Sequence, residues 1–173
     1  MEIDCKYENF RKGKFTREQY LLALSKCIEQ AVKPALVHVN AFKDLPTEQE
    51  AEEYNLSVIS REKFMELQKK EDVGEQLNKF KQGKLEVLYS TKCNRGVDFP
   101  GEVCNSIILT KYPYPNISSL FWRIFKKTKP QYYNSFYVDK AKREFLQRIY
   151  RGLRSKDDHI FLLSPDSRVF DGC

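Results

Sequence analysis

The segment QRIYRGLR, residues 147–154, combines three arginines and one glutamine with three large apolar side chains. At about 100° per residue, a helix would place Gln147, Arg151 and Arg154 in one narrow stripe. The opposite side of that helix would carry the apolar side chains Phe145, Ile149 and Leu153. The segment is therefore predicted to be helical, with its apolar side buried and a row of guanidinium groups presented elsewhere. The structural alternative is a charged helix face that meets only solvent.

The loop TKCNRGVDFPG, residues 91–101, is the second segment with the groups needed for ligand binding. It offers a hydroxyl at Thr91, two cations, and Gly96, which allows close approach of the backbone. Such a loop can bring a hydroxyl and backbone N–H groups to a phosphate, while Asp98 accepts from a ribose hydroxyl or orders the loop. A glycine turn held by a structural aspartate is the alternative interpretation.

The basic residues are concentrated in one third of the chain. Residues 111–156 carry twelve Lys or Arg residues against Asp139 and Glu144, whereas the remainder is slightly acidic. The same block contains eleven aromatic residues, and basic and aromatic side chains together suit a polyanion with stackable rings, which means nucleic acid. The alternative is that the aromatic residues form the core and the lysines are ordinary surface.

Length and composition limit the class of protein. With 173 residues, 41% of them hydrophobic and 31% charged, the chain is predicted to form a single domain, residues 1–173. No apolar run approaches membrane-spanning length, so we expect no membrane partner. The five cysteines show no CxxC pair or matching histidine spacing, which favours incidental thiols in a reducing compartment and predicts no metal site.

The elements that must position these segments alternate along the chain. A capping box at Thr16 to Gln19 begins a helix that Pro34 ends. Short β-rich runs separated by helices follow, and they predict strands at 35–40, 56–60, 85–91, 105–111 and 159–164. A further short strand is possible at 3–8. Within the basic block, helices are predicted around 118–127 and 139–154. Strands that are apolar on both faces indicate an α/β fold with a parallel sheet of about five to seven strands sandwiched between helices. In such folds, ligands bind beyond the carboxyl ends of the strands.

These segments resemble a known family of motors. Thr91, Arg95-Gly96-x-Asp98 and the Gln147…Arg151…Arg154 set resemble motifs V and VI of superfamily 2 helicases, and VHVNAF (37–42) resembles motif IV. SIILTKYPYPN, the helix ending in QRIYRGLR, and HIFLLSPDSRVF are similar to the second motor domain of the XPD/DinG-type DNA helicases, particularly archaeal ones. The resemblance covers residues 16 to 170 and implies a RecA-like sheet, a P-loop NTPase fold lacking its own P-loop.

The resemblance also implies roles for individual residues. Arg151 and Arg154 would be arginine fingers that neutralise charge on the γ-phosphate of ATP, which explains arginine rather than lysine. Gln147 would support the nucleotide or the motif V loop, and Gly96 and Asp98 would lie near its ribose and phosphates. The candidates for contact with single-stranded DNA are Thr91, Asn40, Lys92, Arg95, Lys126 and Lys127.

Two parts of such a motor are absent from the sequence. There is no G-x-x-x-x-G-K-[ST] phosphate loop and no Asp-Glu metal box. The chain therefore resembles half of an ATP-dependent DNA helicase, with ATP and Mg²⁺ shared with an N-terminal motor half in the same parent chain or a separate subunit. The isolated chain is expected to be inactive. The parent protein is expected to be cytoplasmic and to act in DNA repair.

Two other functions remain open. A non-enzymatic nucleic-acid-binding module of the same fold could have lost ATP coupling, and Tyr150, which stands where the family's motif VI usually has glycine, favours it. An unrelated small α/β phosphotransferase or nuclease is disfavoured by the missing phosphate loop and carboxylate cluster. His38, within an apolar strand, is predicted to be a core residue rather than a catalytic base.

Overall fold

The computed structural model describes residues 3–70, 74–91, 98–99, 103–153 and 156–171, apart from the side chains of Tyr7 and Lys70. The described strands form one parallel sheet in the order β2-β1-β3-β4. Their bounds are Ala35–His38 (β1), Val87–Ser90 (β2), Ser106–Leu109 (β3) and Phe161–Leu163 (β4). Val37, in the central strand, lies opposite Tyr89 on one side and Ile108 on the other. The predicted parallel α/β architecture is thus confirmed.

Helices cover both faces of this sheet. Their bounds are Tyr7–Arg11 (α1), Arg17–Gln30 (α2), Glu48–Glu53 (α3), Arg61–Lys70 (α4), Glu75–Lys81 (α5), Leu120–Thr128 (α6) and Pro130–Ile149 (α7). The capping box predicted for α2 is present, since the Thr16 hydroxyl accepts from the Gln19 N–H and the Gln19 side chain accepts from the Thr16 N–H. None of the described helices is long and apolar enough to cross a membrane.

Alternate residues of the central strands are buried in different cores. Val37 and Ile108 pack on one face of the sheet with side chains of α2 and α4, such as Leu24 and Phe64. On the other face, Leu36 and Ile107 pack against Phe80 of α5, and Leu109 packs against Phe145 of α7. This continuous burial explains why the strands read as apolar on both faces.

The sheet has fewer strands than the five to seven that the sequence predicts. The described residues form four, because LSVIS (56–60) and IDCKYE (3–8) do not join the sheet as strands. The backbone N–H groups of Ser57 and Ile59 donate instead to the hydroxyls of Ser25 and Tyr89. Ile3 makes a single bridge to Asp166. Apolar alternation in these two segments reflects burial without strand pairing.

The last helix also differs from the prediction. It begins at Pro130, a residue favoured in the first helical turn, rather than near residue 139. It ends at Ile149, and Tyr150 is its C-terminal cap, so Arg151 lies beyond the helix. The predicted helical stripe of Gln147, Arg151 and Arg154 is therefore wrong. The apolar periodicity of the sequence continues past Ile149, although the helix ends there and the chain turns towards the sheet.

Candidate functional site

Polar side chains meet at the carboxyl ends of β1 and β3. The Asn40 N–H donates to the Thr110 hydroxyl at 3.0 Å, and the Asn40 side-chain amide donates to the Tyr112 carbonyl at 3.1 Å. Because these strands are parallel neighbours, the residues that follow them come together at one edge of the sheet. Asn40, predicted to contact DNA, therefore lies at the edge where a ligand is expected.

Arg148 joins this edge to α7, a role that was not predicted from the sequence. Its Nη1 donates to Asn40 Oδ1 at 2.7 Å, and its Nε donates to Glu144 Oε1 at 3.3 Å. Only 9% of Arg148 is exposed. Arg148 follows buried Ala141 and Phe145 at helical spacing, a signal that could have identified it as facing inward.

A cavity of about 960 Å³ opens at this edge, between the loops that follow β1 and β3 and one side of α7. Its lining is rich in cations, while its lining carboxylates are Asp44 and Glu144. The cations are Arg17, Lys43, Lys111, Lys140, Arg148 and Arg168. Such an excess of positive charge favours an anionic ligand.

Some of these cations are already paired, which limits what they offer a ligand. Lys111 contacts Asp44 at 2.7 Å, Arg168 contacts Asp166 at 2.7 Å, and Arg17 pairs with Glu50. Lys43 and Lys140 are exposed, and neither forms an ion pair with any residue that the structure describes. These two lysines are therefore the charges best able to meet an incoming phosphate.

Aromatic rings line the same cavity. Tyr114 stacks on Tyr137 with ring centroids 5.2 Å apart, and Tyr112 lies 5.0 Å from Tyr114. The Arg168 guanidinium lies 5.4 Å from the centre of the Tyr114 ring. Aromatic rings can stack on the bases of a single strand, and the positive charges beside them can contact its phosphates.

The loop after β2 and the segment after α7 are brought together. The Phe99 N–H donates to the Arg151 carbonyl at 3.0 Å, so Asp98 and Arg151 belong to neighbouring pieces of chain. Gln147 is exposed on the last turn of α7. The described parts of the segments assigned to motifs V and VI therefore meet at Phe99 and Arg151, although not through the predicted arginine stripe.

The remaining predicted residues divide into two groups. Thr91 follows β2, and its hydroxyl accepts from the Gln68 amide at 3.1 Å. Lys126 and Lys127 lie on the last turn of α6, outside the cavity lining, with Lys126 5.6 Å from the Tyr133 ring centre. The other candidates, namely Arg154, Gly96, Lys92 and Arg95, lie outside the described residues.

His38 is enclosed beneath this site, at the end of β1. It is almost completely buried, as predicted for a core residue. Burial, followed by the positive charges of Arg148 and Arg151, holds the pKa of His38 well below its ordinary value of 6.5. A neutral imidazole therefore lies next to both arginines. Elsewhere, within the described ranges, no three His, Cys, Asp or Glu side chains converge on a point that could hold a metal.

Comparison with known proteins places this geometry in a family. The solved structure of Xpd4 from S. tokodaii is 20% identical, with a TM-score of 0.56, and the match covers 98% of this chain and 33% of that one. The apo form of XPD is 16% identical, with a TM-score of 0.65, and the match covers 96% of this chain and 34% of that one. The chain thus shares the fold of about a third of each protein.

No curated protein matches it significantly in sequence. The family model for the helicase C-terminal domain matches residues 22–172. With nearly its whole length matched, the chain belongs to the helicase C-terminal domain family.

Proposed function

We propose that this domain is the second motor domain of an ATP-dependent DNA helicase of the XPD/DinG type. It acts with an N-terminal motor half that supplies the phosphate loop and the magnesium ligands. The observation that carries the proposal is the family match over residues 22–172, together with the convergence of Phe99 and Arg151 at 3.0 Å. That contact joins the two segments whose residues resemble motifs V and VI.

The nucleotide side of the site consists of Arg151, Arg154, Gln147, Gly96 and Asp98. ATP bound with Mg²⁺ between the two halves supplies the γ-phosphoryl group for transfer to water. The Arg151 carbonyl accepts from the Phe99 N–H, so the backbone of Arg151 is held against the segment that carries Asp98. Guanidinium groups offer forked, permanently charged donors, which suit the charge that develops on a transferring phosphoryl group.

The nucleic-acid side is the cationic cavity at the ends of β1 and β3. Asn40, Lys43 and Lys140 provide phosphate contacts, and the stacked Tyr114 and Tyr137 provide an aromatic surface. Phosphate contacts of this kind position a strand without reading its sequence. The proposed ligand is single-stranded DNA bound with little sequence preference, with Lys126 and Lys127 contributing from α6.

The test is a set of variants in the domain joined to, or mixed with, its N-terminal half. Arg151→Ala and Arg154→Ala should each lower the hydrolysis rate on the order of 10³-fold while single-stranded DNA affinity is retained. Arg→Lys should restore hydrolysis only in part, because a point charge lacks the forked geometry. Lys126→Ala and Lys127→Ala are the matched controls, expected to weaken DNA binding and leave DNA-independent hydrolysis unchanged.

A second candidate function is a nucleic-acid-binding module that has lost ATP coupling. The observation that favours it is that the best-defined polar contacts, those of Arg148 and Asn40, face the cationic cavity. Under this alternative, the arginine variants would weaken DNA binding and would not change any ATP hydrolysis that the N-terminal half performs. That result would contradict the helicase proposal.

A further inference from the structure

The segment before α2 forms a further wall of the cationic cavity, and the proposed function gives it no role. We call residues 5–15 the N-terminal wall. Phe10 and Phe15 of this wall line the cavity, with their ring centroids 5.7 Å apart. Phe10 nevertheless keeps 47% of its surface exposed. Both residues precede residue 22, where the family match begins, so that match does not account for an exposed ring at this place.

Backbone hydrogen bonds fix the shape of the N-terminal wall after α1. The Gly13 N–H donates to the Phe10 carbonyl at 3.0 Å. The Lys14 N–H donates to the Asn9 carbonyl, also at 3.0 Å. Gly13 has a φ of +69°, a conformation that glycine adopts readily and that lets the chain turn tightly between Lys12 and Lys14. The exposed ring and the two lysines therefore belong to one ordered turn.

The same turn carries exposed cations. They are Arg11, Lys12 and Lys14, and none of the three forms an ion pair with any residue within the described ranges. The sequence between Glu8 and Glu18 contains no acidic residue. The N-terminal wall therefore adds accessible positive charge to a cavity that already favours an anionic ligand.

Buried Asp166 joins the N-terminal wall to the tyrosines of the cavity. One oxygen of its carboxylate accepts from the Cys5 N–H at 3.3 Å, just before α1. The other accepts at 2.9 Å from the Tyr112 N–H, in the segment that also carries Tyr114. Asp166 also pairs at 2.7 Å with Arg168, whose guanidinium lies over the Tyr114 ring. One carboxylate thus positions both aromatic parts of the cavity, and such preorganisation lowers the entropic cost of binding.

The ring and the cations of the N-terminal wall fit a single strand better than a duplex. Bases inside a duplex are paired and stacked on one another, so their faces cannot reach a protein side chain. A single strand has bases free to stack on an aromatic ring, and every base has such a face. Lys12 and Lys14 follow Phe10 closely in the chain, so one strand can meet the ring and both cations.

We propose that Phe10 is a base-stacking residue of the cationic cavity, and that Arg11, Lys12 and Lys14 contact phosphates of the same single strand. This inference rests on the proposed binding of single-stranded DNA to the cavity, and it assigns the N-terminal wall to that site. It involves neither ATP nor the N-terminal motor half, so it can be tested on this chain alone.

The test compares two labelled oligonucleotides of equal length in fluorescence anisotropy titrations. One consists of thymidines, and the other is abasic, so it keeps the phosphates but has no base to stack. Phe10→Ala should weaken binding of the thymidine strand about tenfold and leave binding of the abasic strand unchanged. Phe10→Tyr should bind both strands like the parent chain, because it keeps an aromatic ring at this position.

The matched control is Phe161→Ala. Phe161 is 60% exposed, but it begins β4 at the amino end of the strand and does not line the cavity. Its variant should bind both strands like the parent chain. Lys12→Ala combined with Lys14→Ala should weaken binding of both strands and reduce the slope of log K against log salt by about 1.4, at about 0.7 for each lost phosphate contact.

The outcomes separate this inference from the proposed function of the cavity. If Lys43→Ala combined with Lys140→Ala weakens binding and Phe10→Ala does not, the cavity binds DNA without the N-terminal wall and this inference alone is overturned. If Phe10→Ala weakens binding of both strands equally, the ring supports the structure of the wall rather than a base, which also contradicts the inference. A parent chain that binds neither strand would overturn both proposals.

Discussion

Arg148 Nη1 lies 2.7 Å from Asn40 Oδ1, and this bond joins the end of α7 to the loop after β1 across 108 residues of sequence. The same guanidinium also contacts Glu144. Arg148 lines the cationic cavity and is adjacent to Gln147 in sequence. It therefore lies between the proposed nucleic-acid side and the proposed nucleotide side.

Removing that link should destabilise the domain. We expect Arg148→Ala to lower the free energy of unfolding by about 1–3 kcal/mol, because Asn40 and Glu144 both lose a charged donor. A double-mutant cycle with Asn40→Ala, measured by urea unfolding, should give a coupling free energy of about 1 kcal/mol or more. Arg143→Ala is the control, since its ion pair with Asp139 at the same helical spacing is exposed and should be worth less than about 0.5 kcal/mol. Equal losses for the two arginines would contradict the prediction.

Gly152 should tolerate no side chain. A Cβ at this position would lie 2.9 Å from Ile160 Cγ2 and 3.5 Å from Ile107 Cδ1. We therefore expect Gly152→Ala to lower the free energy of unfolding by about 1–3 kcal/mol. Combining it with Ile160→Ala should cost less than the sum of the two single changes, which thermal or urea unfolding would reveal. Strict additivity would mean that the close approach is relieved in another way.

Tyr150 stands where the family's motif VI usually has glycine, and its backbone does not need one. Its φ of −64° and ψ of −1° are accessible to any residue. Tyr150→Gly should thus change the free energy of unfolding by no more than about 1 kcal/mol, a loss that reflects the added freedom of the unfolded chain. Urea unfolding would test this, and a gain in stability would indicate strain at Tyr150 that the backbone angles do not show.

His38 should make the domain sensitive to mild acid. Its pKa in the folded state is well below 6.5, whereas the unfolded chain binds a proton at His38 near pH 6.5. Stability should therefore be intact above pH 6.5 and be lost as the pH falls below it, by up to about 1.4 kcal/mol per pH unit. Urea unfolding between pH 7.5 and pH 5 would measure this slope. His38→Gln should flatten the slope, and the exposed His159→Gln should leave it unchanged.

The cationic cavity should bind single-stranded DNA with a strong dependence on salt. Lys43→Ala combined with Lys140→Ala should lower the affinity and reduce the slope of log K against log salt by about 1.4, at about 0.7 for each lost phosphate contact. Lys26→Ala is the control, because Lys26 is exposed on α2 and outside the cavity. Fluorescence titration at several salt concentrations would measure both values. An affinity that does not change with salt would show that this surface does not meet phosphate.

Local pattern was sufficient for the main elements of the fold. The capping box at Thr16 and the apolar run at 35–38 act within a few residues, so their helix and strand could be predicted without tertiary information. The order of strands and helices followed from the same patterns, and the parallel sheet followed from that order. The motifs around Asp98 and Arg151 were likewise recognisable, because their residue types and spacing are written directly in the chain.

Contacts between distant residues decided the geometry of the site. The helical wheel for QRIYRGLR failed because α7 ends at Ile149, where Gly152 must approach Ile160 and Ile107 closely. Arg148 lies inward because Asn40 offers an oxygen at the edge of the sheet and Glu144 offers another on α7 itself. Periodicity shows which residues are apolar, but it carries no information on where a helix meets its neighbours. The buried Arg148 and the other arginines of this segment could therefore be distinguished only in the folded chain.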